Sequence, residues 1–310
     1  MRRRPLIECV ANFSEGRDVL IVDSLVSAVS GDGIALLHRT MDADHNRSVI
    51  TFAGAPGAVV AAAIRAVAKA AELIDLNHHR GVHPRLGAAD VIPLVPVEGI
   101  TLAECAEFAW QLGERIWSTT GVPVYFYEAA AKSPARARLE DVRRGEFEGV
   151  REIVRTDPAH APDLGGPDLH PTAGAVIVGA RKFLIAWNVN LATSDLRVAR
   201  AIARSIRASS GGLPHVKALG LPLESRGQTQ VSMNLTDYEQ TPMHVVYEAI
   251  RSECARYAVR IAGTEIIGLI PRAALERSAE AYLRFENYQP GIVLERRIED
   301  CLPVGSRALE

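Results

Sequence analysis

The residues best suited to chemistry in this 310-residue chain form a histidine cluster near position 80. Three of the nine histidines lie within six positions, namely His78, His79 and His83. Histidine titrates near neutral pH, so it could accept a proton from an attacking amine and return one to a leaving group. Gly81 and Pro84 predict a loop, and the apolar residues 91–97 predict a buried strand after it. Surface histidines that only form hydrogen bonds would give the same pattern.

A metal site is another interpretation of this cluster. His79 and His83 have the four-residue spacing of two zinc ligands on one helical face. Gly81 and Pro84 argue against such a helix, and no glutamate lies between the two histidines to act as a general base. We therefore expect no metal and favour a catalytic or binding role for His83.

A second polar cluster lies between two predicted strands. Its members are Asp42, Asp44, His45, Asn46 and Arg47. The carboxylates could hold a cationic group, and the planar fork of Arg47 or of Arg85 could hold a carboxylate. The same residue types also favour turns, and isolated basic residues are often ion-pair partners in solvent, so these residues alone do not establish a ligand.

The elements that would position these residues follow one order twice. The first half predicts strands at residues 6–12, 34–37, 48–53 and 91–97 and helices at residues 18–29 and 59–74, with a polar loop at 38–45. The second half predicts strands at residues 183–191, 216–221, 228–235 and 260–270 and helices at residues 194–208 and 242–257, the first capped by Ser194. Thr101 and Glu104 form a capping box for a further helix.

The repeated strand-helix-strand-strand-helix-strand order is the ferredoxin-like pattern. It predicts an α+β fold of two ferredoxin-like α/β-sandwich subdomains with a cleft between them. We place the subdomains at residues 1–180 and 181–310. Residues beyond 287 lose their periodicity, and we expect an arm or a tail that contacts a partner.

A stretch rich in glycine and proline occupies residues 156–173, followed by Gly174. Its composition forbids regular structure, so it is either a domain linker or a binding loop. Gly165, Gly166 and Gly174 would let the backbone approach a flat ligand. The chain contains no dinucleotide-binding or Walker glycine pattern after a strand, which argues against nucleotide binding.

The bulk composition excludes several classes of protein. With 48% hydrophobic and 23% charged residues, the chain has the composition of a soluble globular protein, and the net charge of −2 argues against a general nucleic-acid binder. No stretch has the length of a membrane span or the pattern of a signal peptide. The four cysteines are far apart in sequence, as expected for reduced thiols in a cytoplasmic protein.

Several motifs together resemble the formiminotransferase domain of formimidoyltransferase-cyclodeaminase and its single-domain bacterial relatives. They are ECVANFSEG at residues 8–16, DHNRSV at 44–49, HPRLGAADV at 83–91 and GARKFLIAWNVNL at 179–191. The resemblance extends from about residue 5 to about residue 285, and it leaves no room for a cyclodeaminase domain, whose absence we expect.

The resemblance implies transfer of a formimino group from N-formimino-L-glutamate to tetrahydrofolate in histidine degradation, by a homodimeric enzyme without a metal. It implies that the catalytic residue is His83. The implied folate-binding segment is Gly165, Gly166, Pro167, Asp168, Leu169, His170, Pro171, Thr172, Ala173 and Gly174. The residues expected to bind the other substrate are Asn12, Asp42, Asp44, His45, Asn46, Arg47, His79 and Arg85.

One departure from the family pattern concerns the donor substrate. The animal enzymes carry T-G-E-H-P-R where this chain has R-G-V-H-P-R at residues 80–85. Val82 removes a carboxylate beside the histidine, and Arg80 adds a positive charge. A related tetrahydrofolate-dependent transferase with another formyl or formimino donor is therefore an alternative. A folate-binding protein without turnover is a second alternative, and a metal hydrolase is a distant third.

Overall fold

The computed structural model describes residues 4–81 and 84–301, so that Val82 and His83 lie outside the described part of the chain. The chain divides into two compact units, Met1–Phe183 and Leu184–Glu310. Each unit contains one β-sheet together with helices, which confirms the predicted α+β class.

The first unit is built on a six-stranded sheet. Its elements in chain order are β1 (Leu6–Phe13), α1 (Val19–Val29), β2 (Ile34–Asp42), β3 (Arg47–Gly54), α2 (Pro56–Leu73), β4 (Ala89–Glu98), α3 (Leu102–Thr120), β5 (Val124–Glu128), α4 (Leu139–Val142), α5 (Glu146–Ile153) and β6 (Val176–Ala180). The strand order is β2-β3-β1-β4-β6-β5. The pairs from β2 to β4 are antiparallel, and β6 lies parallel to both of its neighbours. The element order predicted for the first half is confirmed.

Alternation along β1 determines which residues reach the core. Four side chains at every second position are fully buried in the apolar core, namely Ile7, Cys9, Ala11 and Phe13. Asn12 has the opposite orientation and lies opposite Val49 of β3, while Arg47 lies opposite Asp42 of β2. Since residues two apart share a face, Asn12, Arg47 and Asp42 belong to the second face of the sheet.

Two predictions for this unit were wrong at particular elements. Residues 38–42 continue β2 instead of forming a loop, because an edge strand with a solvent-exposed side tolerates polar residues. The sequence analysis also missed β6, whose five buried residues complete the first sheet between β4 and β5. The glycine- and proline-rich stretch therefore leads from α5 into a strand of the first unit. The linker interpretation is wrong.

The second unit has a four-stranded antiparallel sheet in the order β10-β7-β9-β8. Its elements are β7 (Ile185–Leu191), α6 (Leu196–Ile206), β8 (Val216–Leu223), β9 (Gln228–Leu235), α7 (Met243–Arg256), β10 (Ile261–Ile267), α8 (Arg272–Leu283) and α9 (Leu294–Cys301). The predicted element order is confirmed. The N-cap of α6 is Asp195, which accepts from the N–H of Arg197, and not Ser194 as predicted. The chain beyond residue 287 includes α9, whose Arg296 pairs with Glu276 of α8.

Two further predictions concern helix termini and thiols. The capping box at the start of α3 is confirmed, with Thr101 accepting from the N–H of Glu104. Cys9, Cys105 and Cys254 are buried free thiols. Burial raises the pKa of Cys105 to about 11, so this thiol stays protonated at neutral pH. No helix within residues 4–81 and 84–301 is both long enough and apolar enough to cross a membrane.

Close packing between α3 and β5 gives a test of this fold. A methyl group at Gly113 would lie 2.5 Å from the ring of Phe126, whereas a methyl group at Gly149 in α5 would meet no atom within 4 Å. We expect Gly113→Ala to lower the free energy of unfolding by about 1–3 kcal/mol through overpacking. Gly149→Ala should raise it by about 0.5–1 kcal/mol through helix propensity. Urea denaturation measures both, and equal effects of the two substitutions would contradict the packing of α3 on β5.

Candidate functional site

Asn46 joins three loops of the first unit. Its backbone is left-handed, with φ at 48°, a conformation that asparagine tolerates better than most residues. The side-chain oxygen accepts from the N–H of Gly16 at 2.9 Å, and the side-chain nitrogen donates to the carbonyl of Arg80 at 3.1 Å. The buried Asn46 side chain therefore ties the β2–β3 turn to the β1–α1 loop and to residues 74–88, which we call the histidine loop.

Glycines allow these loops to touch. A methyl group at Gly16 would lie 2.3 Å from the carbonyl oxygen of Asp42, and one at Gly81 would lie 2.3 Å from the carbonyl oxygen of His45. No side chain fits at either separation. The structure thus brings the predicted polar cluster at residues 42–47 against the histidine loop.

His79 is buried and is held on both ring nitrogens. Its Nδ1 accepts from Nε of Arg85 at 3.0 Å. An arginine can only donate, so the proton of neutral His79 lies on Nε2 and is donated to the carbonyl of Asn46 at 2.9 Å. Burial lowers the pKa of His79, and the charge of Arg85 lowers it further against the opposing hydrogen bond to Asn46. This arrangement gives His79 a positioning role in the loop.

Arg85 connects the histidine loop to the start of α5. Its Nη1 and Nη2 donate to the carboxylate of Glu148 at 2.8 and 2.6 Å, and Nη1 also donates to Glu146 at 3.1 Å. The backbone N–H of the fully buried Phe147 donates to the carbonyl of Arg85 at 3.0 Å. The guanidinium of Arg85 is thus already bound to these two acids. This arrangement suits a residue that positions the loop better than one that binds a substrate carboxylate.

Asp90 holds the C-terminal end of the histidine loop. The Asp90 side chain is only 3% exposed. Oδ1 accepts from the N–H groups of Leu86 and Gly87 at 2.8 and 3.3 Å, and Oδ2 accepts from Nη2 of Arg143. Sequence reasoning did not assign Asp90, Arg143, Glu146 or Glu148 to the site. Arg143, Glu146 and Glu148 lie more than fifty positions along the chain from the residues that they contact. No spacing in the sequence indicates such contacts.

The acidic residues of the β2–β3 turn differ in their environment. The carboxylate of Asp42 accepts from the backbone N–H of His45 at 2.8 Å and lies 2.8 Å from its Nδ1. Burial raises the pKa of Asp42, but these hydrogen bonds outweigh it and hold the pKa below its usual value. Asp44 is exposed.

Asn12, the predicted substrate-binding residue of β1, donates from its side-chain amide to the carbonyl of Val10 at 2.9 Å.

The second half of the predicted folate segment lies directly against the histidine loop. Its backbone carbonyls at Pro171, Thr172 and Ala173 accept from the side chain of Asn77 at 3.0 Å and from the N–H groups of Leu76 and Ala88, both at 2.9 Å. Nδ1 of His170 accepts from the N–H of Ala173 at 3.0 Å, which closes a tight turn. The structure therefore brings together two segments that are about ninety residues apart in the chain.

The first half of this segment makes other contacts. Gly165 has a φ of +80°, and a methyl group there would lie 2.8 Å from the ring of Trp117 in α3. Asp168 accepts from Nη2 of Arg155 at 2.6 Å, and Leu169 is buried. The predicted folate segment is thus fixed at both ends within the first unit.

Two further predictions concern His83 and a metal ion. His83, the predicted catalytic residue, lies outside the described residues, while Gly81 before it contacts the polar turn and Arg85 after it is bound to α5. Within residues 4–81 and 84–301, no group of three or more His, Cys, Asp or Glu side chains has an arrangement that could hold a metal ion.

Sequence models of protein families match both units of this chain. The model described as the formiminotransferase domain, N-terminal subdomain, matches residues 6–181. The model described as the formiminotransferase domain matches residues 186–299. Together the two models match most of the chain.

Three relatives are similar over most of this chain. Glutamate formimidoyltransferase of Streptococcus pyogenes serotype M1 is 44% identical over 284 residues, which cover 91% of this chain and 95% of the relative. The protein of the same name from Thermoplasma acidophilum is 44% identical over 297 residues, covering 95% and 97%. Formimidoyltransferase-cyclodeaminase of Gallus gallus is 41% identical over 288 residues, which cover 91% of this chain and 53% of the relative.

The buried, neutral His79 predicts a dependence of stability on pH. Its pKa in the folded state lies below the unfolded value of about 6.5, so the unfolded chain takes up a proton first as the pH falls. The stabilisation by His79 is therefore present above about pH 6.5 and is lost as the pH falls below it. We expect the advantage of wild type over His79→Gln in unfolding free energy to shrink between pH 7 and pH 5.

The matched control is His78→Gln, since the His78 side chain is 86% exposed. It should change the unfolding free energy by less than about 0.5 kcal/mol at either pH. Denaturant titrations of the three proteins provide the comparison. An advantage of wild type over His79→Gln that grows toward pH 5 would contradict the neutral state of His79.

Proposed function

The chain belongs to the formiminotransferase domain family, and from that premise we propose that it transfers a formimino group from N-formimino-L-glutamate to tetrahydrofolate. Relatives named glutamate formimidoyltransferase support a transferase of this kind, at 44% identity over nearly the whole chain. The observation that carries the proposal for the site is the contact between the histidine loop and residues 171–173. That contact supports the proposal, because it joins the loop whose sequence contains the expected acid–base residue to the expected folate segment within one unit.

The reaction requires one proton acceptor that becomes a proton donor. The formimino carbon of the protonated amidine is electrophilic, and N5 of tetrahydrofolate attacks it to form a tetrahedral intermediate with two amino groups. In our proposal His83 takes the proton from N5 and gives one to the departing glutamate amine, after which the C–N bond to glutamate breaks. The products are 5-formiminotetrahydrofolate and glutamate, so that atoms and charges balance without a further reactant.

The β2–β3 turn provides negative charge for a cationic donor. The lowered pKa of Asp42 keeps its carboxylate ionised at neutral pH, which supports its assignment to the formimino group together with Asp44. Asn12 and Arg47 share the sheet face on which Asp42 lies. We therefore propose this face as the donor-binding side, with His45 and Asn46 shaping the turn.

Residues 165–174 are proposed to bind tetrahydrofolate as the co-substrate. The glycines at 165, 166 and 174 have left-handed backbones. Gly166 is exposed, so a flat heterocycle could approach its backbone closely, whereas the backbone of buried Gly174 pairs with His170 and shapes the segment. His79 and Arg85 belong to the proposed site through the positions they give to the histidine loop. No metal takes part in the proposed chemistry.

The remaining parts of the proposal concern organisation. The neighbour order β2-β3-β1-β4 of the first sheet repeats in the second sheet as β8-β9-β7-β10, which supports two ferredoxin-like subdomains. We propose residues 1–180 as the N-terminal and residues 181–310 as the C-terminal formiminotransferase subdomain. A homodimeric, cytoplasmic enzyme is proposed from the family resemblance.

The alternative donor was suggested by Arg80 and Val82. The guanidinium of Arg80 donates to the carbonyl of His79 at 2.8 Å and to that of Asn77 at 3.4 Å. These contacts give Arg80 a place within its own loop that does not require a donor of different charge, and formiminoglutamate therefore stays the proposed donor.

Replacement of His83 tests the proposed acid–base role. We expect His83→Ala to lower kcat by about two to four orders of magnitude, because the proton transfers lose their positioned carrier. The fold and the affinity for tetrahydrofolate should remain. The measurement is the absorbance of the folate product formed from formiminoglutamate, with equilibrium binding of tetrahydrofolate alongside. The exposed neighbour substitution His78→Ala is the control, and turnover of His83→Ala near that of wild type would reject the assignment.

A further inference from the structure

An arginine outside the predicted site, Arg143, lies next to the histidine loop. It caps the C-terminus of α4, and its side chain is 13% exposed. Nη2 donates to the buried carboxylate of Asp90. Nε is buried and has no hydrogen-bond partner among the described residues. Burying an N–H group without a hydrogen-bond acceptor costs free energy. The unmatched Nε therefore indicates that Arg143 can donate to a further acceptor, such as a ligand.

A second guanidinium lies in the same region. Arg47 begins β3 on the second face of the sheet, opposite Asp42. Burial lowers the pKa of Arg47, and the positive charge of Arg143 lowers it further, while Asp90 and Asp42 oppose the change. Asp90 already accepts two backbone N–H groups of the loop, so this single carboxylate is shared among several donors. Arg47 and Arg143 therefore lie close enough to repel each other, and an anion bound between them would relieve that repulsion.

Three other arginines of the first unit are matched by acids. Arg85 holds Glu148 and Glu146, and Arg155 holds Asp168. Arg136 holds Asp163 at 2.6 Å. Arg143 differs because its acid, Asp90, is also bound to the backbone of the histidine loop. An anion at Arg143 would thus lie beside the loop that carries the proposed acid–base residue.

The chemistry of the substrates identifies the anion. The α-carboxylate of N-formimino-L-glutamate is attached to the carbon that carries the reacting nitrogen. The glutamate of tetrahydrofolate is separated from N5 by a benzoyl ring. A carboxylate bound next to the histidine loop therefore belongs to the donor. Planar forks of arginine are well suited to a carboxylate because two parallel N–H groups can reach its two oxygens.

We propose that Arg143, oriented by Asp90 and assisted by Arg47, binds the α-carboxylate of the formimino donor. This inference rests on the proposed function and adds the residue that recognises the donor as an α-amino acid derivative. Arg143 replaces Arg85 in the role expected from the sequence, since the fork of Arg85 is engaged by Glu148.

The first experiment compares Arg143→Ala with Arg144→Ala. Arg144 is the next residue, 76% exposed and paired with Asp141, which makes it a matched control for loss of one positive charge. We expect Arg143→Ala to raise the KM for formiminoglutamate by about 10- to 100-fold and to leave the KM for tetrahydrofolate within about twofold. Added guanidinium ions should restore part of the loss. An unchanged donor KM, or a raised KM for tetrahydrofolate alone, would overturn the proposal.

Donor analogues identify the carboxylate. N-formimino-4-aminobutyrate lacks the α-carboxylate, whereas N-formiminoglycine retains it and lacks the side-chain carboxylate. Arg143→Ala should leave the KM of the first analogue unchanged and raise that of the second. The same KM increase for both analogues would show that Arg143 does not act through the α-carboxylate, and would overturn the proposal.

A binding measurement separates this proposal from the proposed function. Glutamate, the expected product, is titrated into wild type and into Arg143→Lys, which keeps the charge beside Asp90 but lacks the fork. We expect glutamate binding to weaken by about tenfold or more in Arg143→Lys. This test stands even if Arg143→Ala does not fold, and equal glutamate binding would overturn the carboxylate site. Absence of transfer by wild type would reject the proposed function alone.

Discussion

The conformation of the histidine loop depends on the buried carboxylate of Asp90. Burying a carboxylate is costly unless hydrogen bonds or an opposite charge compensate it, and Asp90 has both. Its Oδ1 accepts two backbone N–H groups of the loop, and its Oδ2 meets Arg143. Asp90 therefore couples the loop backbone to the C-terminus of α4. The glutamates of α5 reinforce this coupling through Arg85, so that the loop is held from the same side at two points.

The charged residues around the loop divide into two kinds. Arg85 and His79 form a closed chain from Glu148 to the backbone of Asn46, and this chain fixes geometry. Asp42 and Arg143 can each form a further hydrogen bond to a ligand. The Asp42 side chain is about half exposed, and the Nε of Arg143 has no partner among the described residues. The proposed donor carries both a cationic formimino group and a carboxylate, which match these two charges.

Much of the fold could be predicted from periodicity, because alternation in β1 and helical spacing in α2 are local properties. The capping box at Thr101 was equally local. The extension of β2 and the presence of β6 depended on their partners in the sheet, which local sequence does not contain. In the site, the family motif indicated the histidine loop and residues 165–174. The contact of Asn77 with Pro171 and the clamp of Arg85 by Glu148 required the folded chain.

The central claim is that a formimino group passes from glutamate to N5 of tetrahydrofolate. The most direct test follows a ¹³C label placed on the formimino carbon of formiminoglutamate, with the purified protein and tetrahydrofolate, by carbon NMR. Our account predicts that the label moves to 5-formiminotetrahydrofolate while one equivalent of unlabelled glutamate appears. A label that remains on formiminoglutamate, or that is released as free formate or formamide, would contradict it.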